Sequence, residues 1–139
     1  MNTKLQVARA AELESLSAFR EVIDAACRSR PDINAQARYD LKLAVDEACT
    51  NIITHGYAGL NPGSIIFSIE LEPERAVMTI TDFGHAFEPS EAPRPDVEAG
   101  LEDQPMGGFG LFFIYQTMDE VDYETNDDCN RLILVRRLR

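Results

Sequence analysis

Glu47, Asn51 and His55 recur every four residues in the stretch Glu47-Ala48-Cys49-Thr50-Asn51-Ile52-Ile53-Thr54-His55-Gly56-Tyr57. On an α-helix that interval stacks a carboxylate, an amide and an imidazole along one stripe. Leu41, Ala44, Val45, Ala48, Cys49, Ile52 and Ile53 form an apolar stripe beside it. The polar groups therefore line the rim of a buried face. An amide oxygen is a neutral, hard donor, and Mg²⁺ takes few protein ligands, keeping waters and substrate phosphates in its shell. Asn51 is thus the candidate metal ligand. Glu47, one turn earlier, is placed to accept a proton from a hydroxyl that attacks a phosphoryl group. Asp46 points about 100° away round the helix and is the poorer candidate. His55 can contact phosphate or the Glu47 carboxylate, or equally cap the helix or sit at the core edge.

Two glycine-containing turns follow downstream. Asp82-Phe83-Gly84 ends an alternating apolar run. An aspartate at a strand end can accept a hydrogen bond from an exocyclic amine such as that of adenine. Gly84 lets the backbone turn closely beneath a flat ring. An ordinary Asx turn is the alternative for the same residues. Gly107-Gly108-Phe109-Gly110 precedes the apolar run Leu111-Phe112-Phe113-Ile114. Glycines at a helix start let phosphate approach free N–H groups. The cluster is not a P-loop, because no Gly-Lys-Ser/Thr follows, and it does not follow a first strand as a dinucleotide fingerprint does. In this order the three stretches suit one nucleotide site.

The elements that must position these groups are legible from periodicity. Thr3 to Ala8 alternates weakly and predicts an edge strand. Glu12 to Arg30 predicts a helix, with Leu13, Leu16, Phe19, Val22, Ile23 and Ala26 at helical spacing and Pro31 interrupting it. Asn34 caps a second, longer helix that carries the polar stripe and ends near Gly56 or Gly59. Leu60-Asn61-Pro62-Gly63 is turn chemistry. Ser64 to Leu71 and Ala76 to Thr81 alternate and form a hairpin through Glu72-Pro73-Glu74-Arg75. Residues 85 to 106 read as a long, acidic, proline-rich loop, of the length that lids and binding loops have. Gly108 to Met118 predicts a short helix. Val121 to Glu124 and Arg131 to Arg137 predict a closing strand pair around Asn126-Asp127-Asp128. The order predicts an α/β (α+β) two-layer sandwich: a mixed, largely antiparallel sheet with helices on one face. Residues 1 to 139 read as a single domain.

The bulk composition narrows the partners. The chain of 139 residues has 45% apolar and 27% charged residues, as soluble globular domains do. Lysine and arginine number 13 against 24 acidic residues, a net charge of −11. That surface repels nucleic acid and anionic lipid. A nucleotide bound here arrives with a cation. Cys27, Cys49 and Cys129 are odd in number and scattered, which points to reduced thiols and a cytoplasmic setting. No leader pattern and no apolar run of membrane-spanning length is visible.

The same residues resemble a known family, the GHKL-type, Bergerat-fold ATP-binding domains. Glu47-x-x-x-Asn51 is similar to the N box, Asp82-x-Gly84 to the G1 box, and Gly108-x-Gly110 to the G2 box. The stretch from Glu47 to Tyr57, Asp82-Phe83-Gly84-His85-Ala86-Phe87-Glu88-Pro89 and Pro105-Met106-Gly107-Gly108-Phe109-Gly110-Leu111, with the closing Asn130-Arg131-Leu132-Ile133-Leu134-Val135, resemble most closely the anti-sigma factor serine kinases of bacterial partner switching, over about residues 5 to 137. The resemblance implies that ATP lies between the helices and a lid at residues 85 to 106. It implies Mg²⁺ on Asn51, the adenine amine on Asp82, and phosphates flanked by Gly108 and Gly110. His55, Gly84, Ala86, Gly107, Phe109 and Leu111 complete the nucleotide-binding set. Glu47 is then the base that activates a serine on a STAS-type anti-anti-sigma partner. A sigma factor is the alternate partner, and a homodimer the assembly. Three departures stand out. Ala86 replaces the second G1 glycine. No arginine precedes the G2 glycines. Ile133 stands where many relatives place a threonine that supports adenine, which implies weaker nucleotide affinity. An ATP-sensing anti-sigma or adaptor module without phosphotransfer is the alternative reading. A detached histidine kinase domain is poorly supported, because nothing resembles a phosphoacceptor helix pair.

Overall fold

A computed structural model describes residues 2–61, 63–86 and 108–138, the side chains of residues 108–111 excepted. Strand β1 (Thr3–Ala10) is followed by a single 3₁₀ turn (Leu13–Ser15) and helix α1 (Leu16–Cys27). The helix expected to start at Glu12 thus begins as a tighter turn. Helix α2 (Ala35–Asn51) starts where Asn34 accepts the Ala37 N–H at 2.8 Å, the capping bond that its sequence position predicts. It runs on into a wide π turn, Ile52–Gly56. Strands β2 (Ser64–Leu71) and β3 (Arg75–Asp82) form the predicted hairpin. Helix α3 (Gly108–Thr117) and the hairpin β4 (Glu120–Thr125)–β5 (Asn130–Arg137) close the chain.

The sheet order is β1-β2-β3-β5-β4. Every pairing in it is antiparallel, which corrects the expectation of a mixed sheet. The physical reason is connectivity. Two pairs close through tight hairpins, and the long excursion through α3 enters the sheet at its far edge, β4, whose partner β5 then inserts beside β3. No strand among the described residues returns in the direction that a parallel crossover requires.

Period-two alternation decides which face is buried. Ile65, Phe67, Ile69 and Leu71 of β2, Ala76, Met78 and Ile80 of β3, and Leu132 and Leu134 of β5 all face the helices and are buried. Phe19 of α1 meets Phe67 with ring centroids 5.8 Å apart. Leu41, Ala44, Val45, Ala48 and Cys49 of α2 complete the core, whereas Ile52 and Ile53 are only half-buried. A fully buried side chain of this size contributes about 1.5–3 kcal/mol. One charged pair crosses the layers. Arg136 of β5 donates to Asp40 Oδ2 of α2 at 2.9 Å, and Gln36 donates to Oδ1 at 2.8 Å. Both carboxylate oxygens of this mostly buried residue are therefore occupied. Cys27 and Cys49 are free and buried, Cys129 is free and half-buried, and burial pushes the Cys27 and Cys49 thiols up. They behave as small core hydrophobes. No helix among the described residues is long and apolar enough to cross a membrane.

Candidate functional site

The α-helical stripe holds for two of its three polar residues. Glu47 and Asn51 lie on α2, while His55 belongs to the π turn, where hydrogen bonds run five residues, as from Tyr57 N to Ile52 O at 3.1 Å. Single π turns inside helices cluster at functional sites because they re-aim the residues around them. Asn51 is 8% exposed, and its Nδ2 is buried with no hydrogen-bond partner among the described residues. A native fold leaves few such groups without a reason. Oxygen and nitrogen of an amide are assigned from partners, and here no partner fixes them, so the amide is able to present either atom to a ligand. Glu47 is half-buried. Desolvation, with Asp46 adding like charge, raises its carboxyl above the usual range. Asp46 itself is held by Arg20 at 2.7 Å, so its charge is committed to tying α1 to α2.

Asp82 stands at the end of β3, 5% exposed. Its Oδ1 accepts the Gly84 N–H at 2.9 Å and Asn130 Nδ2–H at 3.0 Å. No described residue donates to its Oδ2. The turn that follows is clamped against the end of the π turn. His85 N donates to Gly56 O at 2.6 Å, and a Cβ on Gly84 would lie 2.3 Å from that same oxygen. Only glycine fits there. Tyr57, buried, accepts the Phe83 N–H at 3.0 Å and donates to Ser64 O at 2.9 Å. Burial, the largest cause, raises its phenol, and the Phe83 N–H opposes this. The backbone behind Asn51 and the backbone behind Asp82 are thus braced into one body. Gly56 sits between them, its Cβ direction 3.8 Å from Asp82 Oδ1.

Gly108, Phe109, Gly110 and Leu111 form the first turn of α3, so the glycine motif does open a helix, with its unpaired N–H groups at that end. α3 packs on α2, the element that carries Glu47 and Asn51. Gly107 and residues 87–106 of the expected lid lie outside the described residues, as does Pro62. His85 and Ala86, at the start of that loop, are exposed.

Ile133 is corrected. It pairs with Thr79 and faces the opposite side of the sheet, in a shallow groove with Ile66, Ser68 and Thr81. It does not approach Asp82. Strand alternation explains this, because residues on the Asp82 side of β5 are the even-numbered ones. The residue in register with Asp82 is Asn130, 3% exposed, and it bonds both Asp82 and Gly84 O. Asn130 and Tyr57 were absent from the sequence-derived site. A buried-side asparagine opening the apolar strand Leu132-Ile133-Leu134-Val135 was the available signal for the first. Nothing local marks the phenol of Tyr57.

No cluster of three or more metal-ligating His, Cys, Asp or Glu side chains occurs among the described residues. A dedicated metal cage is therefore absent there. One orphaned amide suits a Mg²⁺ ion, which takes few protein ligands and arrives with its nucleotide.

The fold and these turns define a class. The chain matches the histidine kinase-like ATPase domain over residues 9–136 and belongs to that family. Among curated relatives, it is 31% identical over 101 residues to the serine/threonine-protein kinase BtrW of Bordetella bronchiseptica, covering 73% of this chain and 71% of that one. It is 37% identical over 87 residues to the serine-protein kinase RsbW of Halalkalibacterium halodurans, covering 60% of this chain and 52% of that one. The chain thus spans only about half the length of that RsbW. A solved structure of RsbU and RsbW domains from Mycobacterium tuberculosis superposes with a TM-score of 0.70 at 15% identity, over 98% of this chain and 32% of that one. At that identity the likeness carries the fold alone.

Proposed function

We propose that this protein is an ATP-dependent protein serine kinase and anti-sigma regulatory factor that phosphorylates a STAS-type anti-anti-sigma partner. The observation that carries the reading is the pairing of an orphaned buried amide, Asn51, with a carboxylate, Asp82, whose Oδ2 accepts no bond from the described residues. Among the described residues the first has an amide nitrogen without a partner, and the second has donors on Oδ1 alone. A metal–triphosphate and an exocyclic amine would satisfy them. The family match and the names of the relatives support the same chemistry.

In this reading Asn51 would hold Mg²⁺ through its amide oxygen, and the bound ion would supply positive charge against the phosphates. Asp82 receives the adenine amine. Gly108 and Gly110 offer helix-end N–H groups to the phosphates. The partner's seryl oxygen attacks the γ-phosphorus while Glu47 accepts the hydroxyl proton. The bond from γ-phosphorus to the β,γ-bridging oxygen breaks, and ADP leaves. A carboxyl raised by desolvation is a stronger base, which suits that step. The acidic surface favours a protein partner over nucleic acid or an anionic membrane. A sigma factor as alternate partner, a homodimer and a cytoplasmic setting belong to the same proposal. The case for an ATP-sensing module without transfer loses the argument from Ile133, because that residue is off the site.

Titration calorimetry of the chain with ATP, with and without Mg²⁺, tests the site. Metal-dependent binding that Asn51→Ala abolishes is the expected result, and unchanged affinity in the variant rejects Asn51 as the ligand. Transfer of the γ-phosphoryl group to a STAS-domain protein, lost in Glu47→Ala with binding intact, tests the reaction. Binding by the wild type without any transfer leaves the module.

A further inference from the structure

Asn130 does more than fill the end of β5. Its Nδ2 donates to Asp82 Oδ1 at 3.0 Å and to Gly84 O at 2.9 Å. Both partners are pure acceptors, so the orientation of the amide is determined by chemistry. Its Oδ1 must then accept, and Thr125 Oγ1 of β4 donates to it at 2.7 Å. Gly84 N supplies a second donor to Asp82 Oδ1 at 2.9 Å. The result is a polar chain, Thr125 to Asn130 to Asp82 and Gly84, in which, among the described residues, one carboxylate position has no donor. That position is Asp82 Oδ2.

We propose that Asn130 is a positioning residue that makes the Asp82 turn selective for a purine carrying an amine at position 6. The inference rests on the nucleotide reading above. Two N–H donors on Oδ1 stop the carboxylate from rotating and leave Oδ2 as the acceptor that no described residue fills. A 6-amino group donates to Oδ2. A 6-oxo group, as in guanine or hypoxanthine, turns lone pairs toward a fixed anion and is rejected. Such hydrogen-bond complementarity discriminates far more strongly than shape, because the wrong base leaves a buried polar group unpaired. The hold on Gly84 O keeps the close-packed turn in place. Thr125 extends control to the β4–β5 hairpin, so the tip of that hairpin sets the geometry of the base site.

The test removes the amide without changing its size and asks whether the loss depends on the 6-amine. Asn130→Leu and Thr125→Val are titrated with Mg²⁺-ATP and with the triphosphate of purine riboside, which lacks that amine. The expected result for Asn130→Leu is a loss of about tenfold for ATP and less than about threefold for the amine-free analogue. Thr125→Val shows a smaller loss with the same dependence. Wild-type discrimination between ATP and GTP falls in both variants. Equal losses for ATP and the analogue mean that Asn130 merely supports the fold, and unchanged ATP affinity means that it does not position Asp82; either overturns the proposal. Should Asn130→Leu fail to give a cooperative melt, Thr125→Val, which leaves Asp82 and Gly84 bonded, decides alone. A wild-type chain that binds neither nucleotide overturns the nucleotide reading and this inference with it, whereas wild-type binding with no 6-amine dependence overturns this inference and the amine contact at Asp82 but leaves metal-dependent nucleotide binding at Asn51 standing.

Discussion

Glu47 sits where burial and Asp46 both disfavour its charged form. Its folded-state pKa is therefore above its unfolded value, and between the two the folded chain binds more protons. Stability falls as pH rises through that window and stays lower above it. Glu47→Gln keeps the shape and removes the cost. Its melting temperature should exceed that of the wild type at pH 8, and the gap should shrink toward pH 4; a pH-independent gap rejects the desolvation argument. Phosphotransfer should run the other way, rising with pH as Glu47 deprotonates. Gly84 carries a second residue-scale constraint. A Cβ placed 2.3 Å from Gly56 O forces the two turns apart. Gly84→Ala should cost about 1–3 kcal/mol in denaturant melts and weaken nucleotide binding as well, since the same contact braces both halves of the site.

At the scale of elements, α2 does two jobs with two faces. Its apolar face supplies Leu41, Ala44, Val45, Ala48 and Cys49 to the core, and its rim supplies Glu47 and Asn51 to the site. The helix beneath the candidate site is packed into the core, which limits how far Glu47 and Asn51 can shift. Val45 is fully buried, so Val45→Asp should destabilise the domain by more than about 4 kcal/mol. A near wild-type melting temperature would reject this helix placement. The π turn is the other element-scale device. It ends the α-helical stripe at Asn51 and brings Gly56 against Asp82 and His85.

At the scale of the molecule, the apolar core joins the layers, and a charged pair joins them as well. Arg136 reaches Asp40 across the sandwich, with side chains 21% and 11% exposed. Removing one partner leaves the other buried without compensation. Arg136→Ala should therefore cost about 3 kcal/mol, and adding Asp40→Ala should recover part of the loss. Strict additivity in that double-mutant cycle would show that the pair does not couple. The sheet order places β5 between β3 and β4. Asn130 and Asp82, 48 residues apart, meet only because of that insertion.

Local chemistry in the chain determined the elements and the identity of the chemical groups. The Asn34 cap, the hairpin limits and the strand alternation are short-range effects, set by propensity, capping and period. Glu47, Asn51, Asp82 and Gly84 could be named as candidates from the chain alone because their types and spacing have few other uses together; their roles remain the proposal. Tertiary structure alone decided how those groups are supported. That every strand pairs antiparallel follows from where β5 inserts, which no local pattern encodes. Ile133 and Asn130 exchange significance for the same reason, since a strand's register decides which of its two faces meets Asp82, and a shift of one residue reverses the answer. The π turn, the Tyr57 brace and the orphaned Asn51 amide depend on contacts between segments far apart in the chain. Such contacts are paid for only once the whole core has formed.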